Sequence, residues 1–338
     1  MPASLNKRDA FLLKRDNSQM KQQEKFQPYL TSRSEVRILD LLENNLCEIS
    51  LDWVTVNGVF HAEQFKSKLH ANNWVQLKEL DSHPIRFGLK RINSNGELLD
   101  KQNIATLIRN KGKNKKQGNW RLETSNHIKN KKEKREIINI INLFEDAHIT
   151  RLDIAIDFIN FDNSGMKYRF YKPNTKQYTI KEKNWEFGTI YCGSNGSSVQ
   201  YRYYNKLNER KSKRIKLPDN IKSWERLEVK LRRKKVLNWL DETKKALSYF
   251  KCPDKVKLDN EKITTVAMLE YLINHPDRFN NKYLSRSTLA KYRKLLKQNK
   301  GLTNQWASIA LGRLNKQAEP LRLEINSYLG TDKLKEVS

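Results

Sequence analysis

The run TRLDIAIDF at 150–158 alternates two kinds of side chain: Leu152, Ile154 and Ile156 at one parity, Arg151, Asp153, Ala155 and Asp157 at the other. Successive side chains of a β-strand point to opposite faces. The first set therefore builds core, and the second shares a polar face on which the small Ala155 leaves room. Two carboxylates on such a face suit hard divalent cations such as Mg2+ or Mn2+. A strand this apolar on its other side belongs in the middle of a sheet, where two like charges are costly unless a cation or an arginine neutralises them. SWERLEVKLR at 223–232 has the same grammar: Leu227, Val229 and Leu231 against Arg226, Glu228, Lys230 and Arg232. Glu228 is thus a third candidate ligand. WRLE adds a fourth, with Arg121 and Glu123 on one face. Carboxylates on strands, each beside an Arg or Lys, are what a metal-dependent phosphate chemistry would use.

In VQYRYYNK, Arg202, Tyr204 and Lys206 share a face, and Tyr201 and Tyr203 share the opposite one. Aromatic side chains favour strands and pack well there, which accounts for Tyr201 and Tyr203. Tyr204 projects with two cations. A phenol of ordinary pKa ~10 is a poor nucleophile at neutral pH; neighbouring positive charge favours the phenolate. Arg202 and Lys206 could instead hold a phosphate. Spacing alone leaves both readings open.

The elements that must position these residues can be read along the chain. Residues 1–45 are polar and lysine-rich, an expected flexible arm. CEISLDWVTVNG is β-rich and is expected to turn at Asn57-Gly58. HAEQFKSKLHANN has helical character, and WVQLKEL, PIRFGLKRI and NWRLETS read as strands. The basic stretch at 109–117 between them is either a solvated linker or a phosphate-contacting loop. Residues 129–147 read as a helix with an apolar stripe of Ile137, Ile138, Ile140, Ile141 and Phe144. FGTIYCG and VQYRYYNK are strands joined by a hairpin turn at Ser194–Ser197. From Lys234 the pattern becomes helical. The reading is an α+β protein: an antiparallel-rich central sheet with flanking helices over 46–250, followed by a helical region over 251–338. In that region, SRSTLAKYRKLLKQ spaces Leu289, Tyr292, Leu295 and Leu296 as an apolar stripe. Arg286, Lys291, Arg293, Lys294 and Lys297 spread over the rest of the helix surface, available to a DNA groove or to phosphates alone.

Charge narrows the partner class. The 338 residues hold 66 Lys and Arg against 38 Asp and Glu, a formal net charge of +28. Such a field recruits polyanions, and each phosphate neutralised releases counterions. There is no long apolar run to span a bilayer and no apolar core of signal-peptide length at the N-terminus, so a cytoplasmic protein with no membrane partner is expected. Cys47, Cys192 and Cys252 are isolated, and no two histidines sit at metal-pair spacing, which argues against a disulfide framework or a zinc site.

ISLDWVTVNG, WRLE, HITRLDIAIDF, GTIYCGSNGSS, YRYYNK and WERLEVKLRR, in this order, resemble the Rep_trans family, the replication initiators of small Gram-positive rolling-circle plasmids. The similarity runs over roughly residues 47–300 and includes VLNWLDETKKAL and MLEYLINHPDRFNNKYLSRSTLAKYRKLLKQ. The resemblance implies a DNA nicking and closing enzyme whose tyrosine attacks a phosphodiester at the double-strand origin, stays attached to the 5′ phosphate and leaves a free 3′-OH. The family's R-x-Y-N/D-K motif puts that tyrosine at Tyr204. Its R-x-D-x-x-x-D strand falls on Arg151, Asp153 and Asp157, and its R-x-E strand on Arg226 and Glu228. The family also implies a divalent metal, origin discrimination in the C-terminal region, a homodimer, a PcrA-type helicase and host DNA polymerase. Family members often carry charged residues where this chain has Ser197, Ser198, Val199 and Gln200. A conjugative relaxase of an integrative element would share the chemistry. A basic regulatory protein that binds DNA without cutting it, or an RNA-binding protein, would share the charge but form no covalent adduct.

Overall fold

The structure is a computed structural model, which describes residues 46–59, 74–77, 85–91, 103–109, 119–124, 128, 130–161, 169–172, 175–181, 187–253, 256–275, 278–299, 302–303 and 305–329. The arm at 1–45, the helical reading of HAEQFKSKLHANN and nearly all of the basic 109–117 stretch lie outside these residues.

Among the described residues, ten strands form one antiparallel sheet. They are β1 (Leu46–Val59), β2 (Trp74–Gln76), β3 (Arg86–Leu89), β4 (Ala105–Arg109), β5 (Asn119–Thr124), β6 (Glu145–Ile159), β8 (Gln177–Lys181), β9 (Phe187–Cys192), β10 (Val199–Asn205) and β11 (Trp224–Arg232). Their spatial order is β2-β3-β4-β5-β1-β6-β11-β10-β9-β8, so β6, the strand of TRLDIAIDF, is central as its alternation requires. Three short strands, β7 (Arg169–Phe170), β12 (Phe250–Pro253) and β13 (Leu302–Thr303), make a separate small sheet.

The core face is built in rungs across the large sheet. Ile49, Ile156, Leu227, Tyr203 and Ile190 stand opposite one another on β1, β6, β11, β10 and β9, and all are buried. Each fully buried aliphatic side chain of this kind contributes roughly 1.5–3 kcal/mol. Tyr201 and Tyr203 belong to this face, stacked on Phe170 and tilted against Phe250 respectively.

Helices cover the core. In α1 (Lys131–Ile141), Asn130 caps the N-terminus by accepting from the Glu133 N–H, and Ile137, Ile140 and Ile141 are buried. α2 (Lys206–Ser212) follows β10 directly, and α3 (Trp239–Tyr249) follows β11 after a 3-10 turn. The helical span after 250 divides between two cores. α4 (Ile263–Asn274) and α5 (Arg286–Gln298) pack on each other through Leu269, Leu272, Ile273, Tyr292 and Leu295. α6 (Gln305–Asn326) returns to the sheet, where Trp306 lies against Phe158 and Phe161 and Leu314 and Leu321 join the main core.

One expected turn is absent. β1 runs through Asn57-Gly58, and Gly58 pairs with Trp120 of β5. The glycine is required there by close approach: a Cβ would stand 2.7 Å from the Phe144 Cβ. By contrast β9 and β10 form the hairpin expected across Ser194–Ser197, with Gly193 in the left-handed region at φ +98°.

Candidate active site

Strand register assembles the polar face. Tyr204 stands opposite Arg226, and Arg226 opposite Asp157. One rung along, Arg202 faces Glu228, and Glu228 faces Ala155. The small Ala155 leaves Glu228 space to turn toward Tyr204, whose hydroxyl donates to Glu228 Oε1 at 2.8 Å. Lys206 Nζ, at the start of α2, lies 3.4 Å from the same hydroxyl and pairs with Glu209 at 2.7 Å. The Arg202 guanidinium covers the Tyr204 ring, 4.1 Å from its centroid. Its buried Nε has no hydrogen-bond partner among the described residues.

Tyr204 is only 3% exposed. Burial pushes its phenol well above the usual tyrosine value of 10; Arg226 opposes this, and Glu228 and Asp52 reinforce it. The expectation that adjacent cations would favour the phenolate is therefore corrected, because desolvation of the anion outweighs their attraction. Burial likewise raises the Glu228 carboxyl, with Asp52 adding to it and Arg202, Arg226 and the tyrosine hydrogen bond opposing. Lys206 is pushed down by burial and by Arg226. Tyr204, Glu228 and Lys206 are thus each shifted toward their neutral forms, a pattern common at reactive sites.

Arg226 organises the floor of the pocket. Fully buried, it forms a two-pronged pair with Asp157, Nε to Oδ1 at 2.7 Å and Nη2 to Oδ2 at 2.8 Å, and its Nη1 donates to Asp52 at 2.9 Å. The Trp224 indole N–H donates to Asp157 as well, at 2.7 Å. Asp52 is a site residue that strand alternation misses. Between Leu51, opposite Ile154, and Trp53, opposite Asp153, β1 carries one extra residue. Such a bulge re-aims side chains, and here it turns Asp52 toward Arg226. The signal was present in the sequence: core positions shift from odd (Ile49, Leu51) to even (Val54, Val56) within one strand.

The four carboxylates expected to share a metal do not converge. Asp153 and Asp157 are four residues apart on a strand rising about 3.3 Å per residue, a separation of ~13 Å, whereas one cation needs its ligands within about 2.0–2.6 Å. Asp157 is engaged by Arg226 and Trp224. Asp153 accepts from Arg151 Nε at 2.9 Å, and Arg151 stacks on Trp53. Glu123 pairs with Arg121 at 3.0 Å and sits in the Arg151 rung, remote from Tyr204. Among the described residues no three His, Cys, Asp or Glu side chains gather in a metal-binding group. This donor set does not fit a single divalent ion. Of the two ways to neutralise like charges on β6, these two aspartates use arginine. Arg151 accordingly belongs with Asp153, away from the Tyr204 pocket.

On α5, Ser285 caps the N-terminus by accepting from the Thr288 N–H, and Leu289, Tyr292 and Leu295 are buried. Arg286, Lys291, Arg293, Lys294 and Lys297 are all exposed. No helix among the described residues is long and apolar enough to cross a membrane.

Comparison with known proteins adds relatives over part of the chain. It is 34% identical over 159 residues to a replication initiation protein of Staphylococcus aureus, covering 47% of this chain and 48% of that one. A second replication initiation protein of that organism is 33% identical over 161 residues, covering 47% and 48%. The chain spans about half the length of the curated relatives it matches. A solved rolling circle replication initiator protein from Geobacillus stearothermophilus aligns with TM-score 0.39 and 14% identity, covering 64% of this chain and 90% of that one. No protein-family profile matches the chain.

Proposed function

We propose that this protein initiates rolling-circle replication by nicking and rejoining one strand of its origin DNA through Tyr204. The observation that carries the reading is the buried Tyr204–Glu228 hydrogen bond at 2.8 Å, with Arg202 over the tyrosine ring and Lys206 beside its hydroxyl. The relatives named replication initiation proteins support the biological setting.

In this reading a DNA phosphate draws Arg202 off the Tyr204 ring. The guanidinium has a buried Nε donor to offer, and arginine recognises phosphate with planar, paired hydrogen bonds. As the phenolic oxygen bonds to phosphorus, its proton passes to Glu228, and Lys206 and Arg202 take up the charge growing on the phosphate oxygens. The bond from phosphorus to the 3′ oxygen breaks, and that oxygen takes a proton from water. The products are a 5′-phosphotyrosine and a free 3′-OH from which a host polymerase can extend. The adduct conserves the phosphodiester energy, so a later 3′-OH can displace the tyrosine without ATP. Arg226, held by Asp157 and Asp52, fixes the floor against which Tyr204 and Glu228 are aligned. By resemblance the same reading includes a homodimer, a PcrA-type helicase and a divalent cation, which would need ligands other than Asp153, Asp157, Glu228 and Glu123 as one set.

The test is Tyr204→Phe, which removes only the hydroxyl. The variant is expected to bind origin DNA normally, to leave supercoiled origin plasmid uncut, and to form no protein–DNA adduct that survives denaturing electrophoresis. Cleavage at the unmodified rate would refute the assignment.

A further inference from the structure

The rung containing Glu228 and Arg202 does not end at the pocket. Arg202 stands opposite Tyr191 on β9, and Tyr191 opposite Tyr178 on β8. The Tyr178 and Tyr191 rings stack with centroids 4.8 Å apart and planes 15° from parallel. The Arg202 guanidinium lies 5.9 Å from the Tyr191 centroid and 4.1 Å from that of Tyr204. A continuous row of π faces and one cation thus leads from the last strand of the sheet to the reactive hydroxyl. Tyr178 is 40% exposed, and Ile180, two residues on and on the same face, is 53% exposed.

The separation of the two rings equals the spacing between neighbouring strands. They therefore stack along the direction that crosses the sheet, and no described strand lies beyond β8 to take the outer face of Tyr178. Exposed aromatic and apolar groups on an edge strand invite self-association unless they serve a ligand. Three features select the ligand. The row presents ring faces; its cation is an arginine with an unpartnered Nε; and the chain carries a net charge of +28. Base rings stacking on aromatic faces beside a positive groove is how proteins hold single-stranded nucleic acid.

We infer that Tyr178, Tyr191 and Arg202 form a base-stacking subsite that holds unpaired nucleotides of the strand leading to the scissile phosphate. This rests on the reading that Tyr204 attacks a DNA strand. The row has no means of entering a paired duplex, whose bases hide their faces in the stack. The site accordingly takes its substrate locally melted, and Arg202 links base stacking to phosphate capture.

Binding of a fluorescein-labelled single-stranded 15-mer carrying the nick sequence, and of the same sequence as duplex, separates the outcomes. The full-length protein is used with Tyr204→Phe, so that no cleavage intervenes, and compared with Tyr178→Leu and Tyr191→Leu added singly. Leucine keeps apolar area and removes the π face. Loss of one stacked base is expected to weaken single-strand binding about tenfold, with duplex binding and the thermal melt unchanged. Equal losses on both DNAs, or no loss on either, overturn the subsite. So does unchanged single-strand binding with a dimer-to-monomer shift in native mass for Tyr178→Leu, which would make the row an interface between copies. If Tyr204→Phe itself still cuts, the nucleophile reading fails while the binding result stands.

Discussion

Glu228 carries a charge that burial disfavours and that, in the proposed mechanism, deprotonation of Tyr204 requires. Its carboxyl is raised above the ordinary glutamate value of 4.5, first by burial and then by Asp52. A raised native value favours the folded state at low pH, and that contribution disappears as pH rises through the native value. Glu228→Gln keeps the shape and an acceptor for the tyrosine hydroxyl without the charge. The variant is expected to resist urea better than the parent at neutral pH, with the advantage gone below 4.5. Its single-turnover nicking should fall by about 10²–10⁴, the usual range for losing a general base. In the parent, nicking should rise with pH through the same raised value. A variant that is less stable at neutral pH, or that nicks as fast as the parent, would remove Glu228 from the proton transfer.

At the scale of elements, α5 presents its five basic side chains to solvent because its stripe of Leu289, Tyr292 and Leu295 is used up against α4. On the proposed reading, that division would let the helix meet DNA without loosening its own packing. We expect Arg286→Ala, Lys291→Ala or Arg293→Ala to weaken binding to the origin duplex more than to a scrambled one. A base contact costs about 1–3 kcal/mol and relaxes specificity at one position, whereas a phosphate contact weakens all sequences alike and lowers the salt slope. Titrations of both duplexes across a salt series read the difference. Equal losses for all three variants would move origin choice to another element. The bulge in β1 acts at the same scale: by inserting one residue it keeps Ile49 and Val54 both in the core while delivering Asp52 to Arg226.

Across the whole molecule, α6 ties the end of the chain to the sheet. Trp306 fills the space beside Phe158 and Phe161, and Arg313 and Gln317 donate to the buried Glu48 of β1 at 2.7 and 3.1 Å. A chain ended at residue 250 would expose that apolar surface to water and strip Glu48 of these two donors. It is expected to lose the cooperative thermal transition of the full chain, as followed by circular dichroism. A truncated chain melting as sharply and at the same temperature would show that α6 adds little to the fold.

Strand parity is a local property, and it was legible in the sequence. The faces of β6, β10 and β11, the core role of Tyr201 and Tyr203, and the shared side of Arg202 and Tyr204 all follow from alternation, which needs no knowledge of neighbours. The stripe of α5 was legible for the same reason. Register and packing are not local, and they decided the rest. Only the alignment of β11 against β6 gives Asp157 to Arg226 and leaves Glu228 for Tyr204. The distance between Asp153 and Asp157, by contrast, is set by the local strand rise and was legible in their four-residue spacing. Burial, a property of the assembled sheet and helices, raised the Tyr204 phenol where nearby cations alone would have lowered it. Asp52 and the return of α6 depend on a bulge and a long-range contact, whose energies come from partners more than a hundred residues away along the chain.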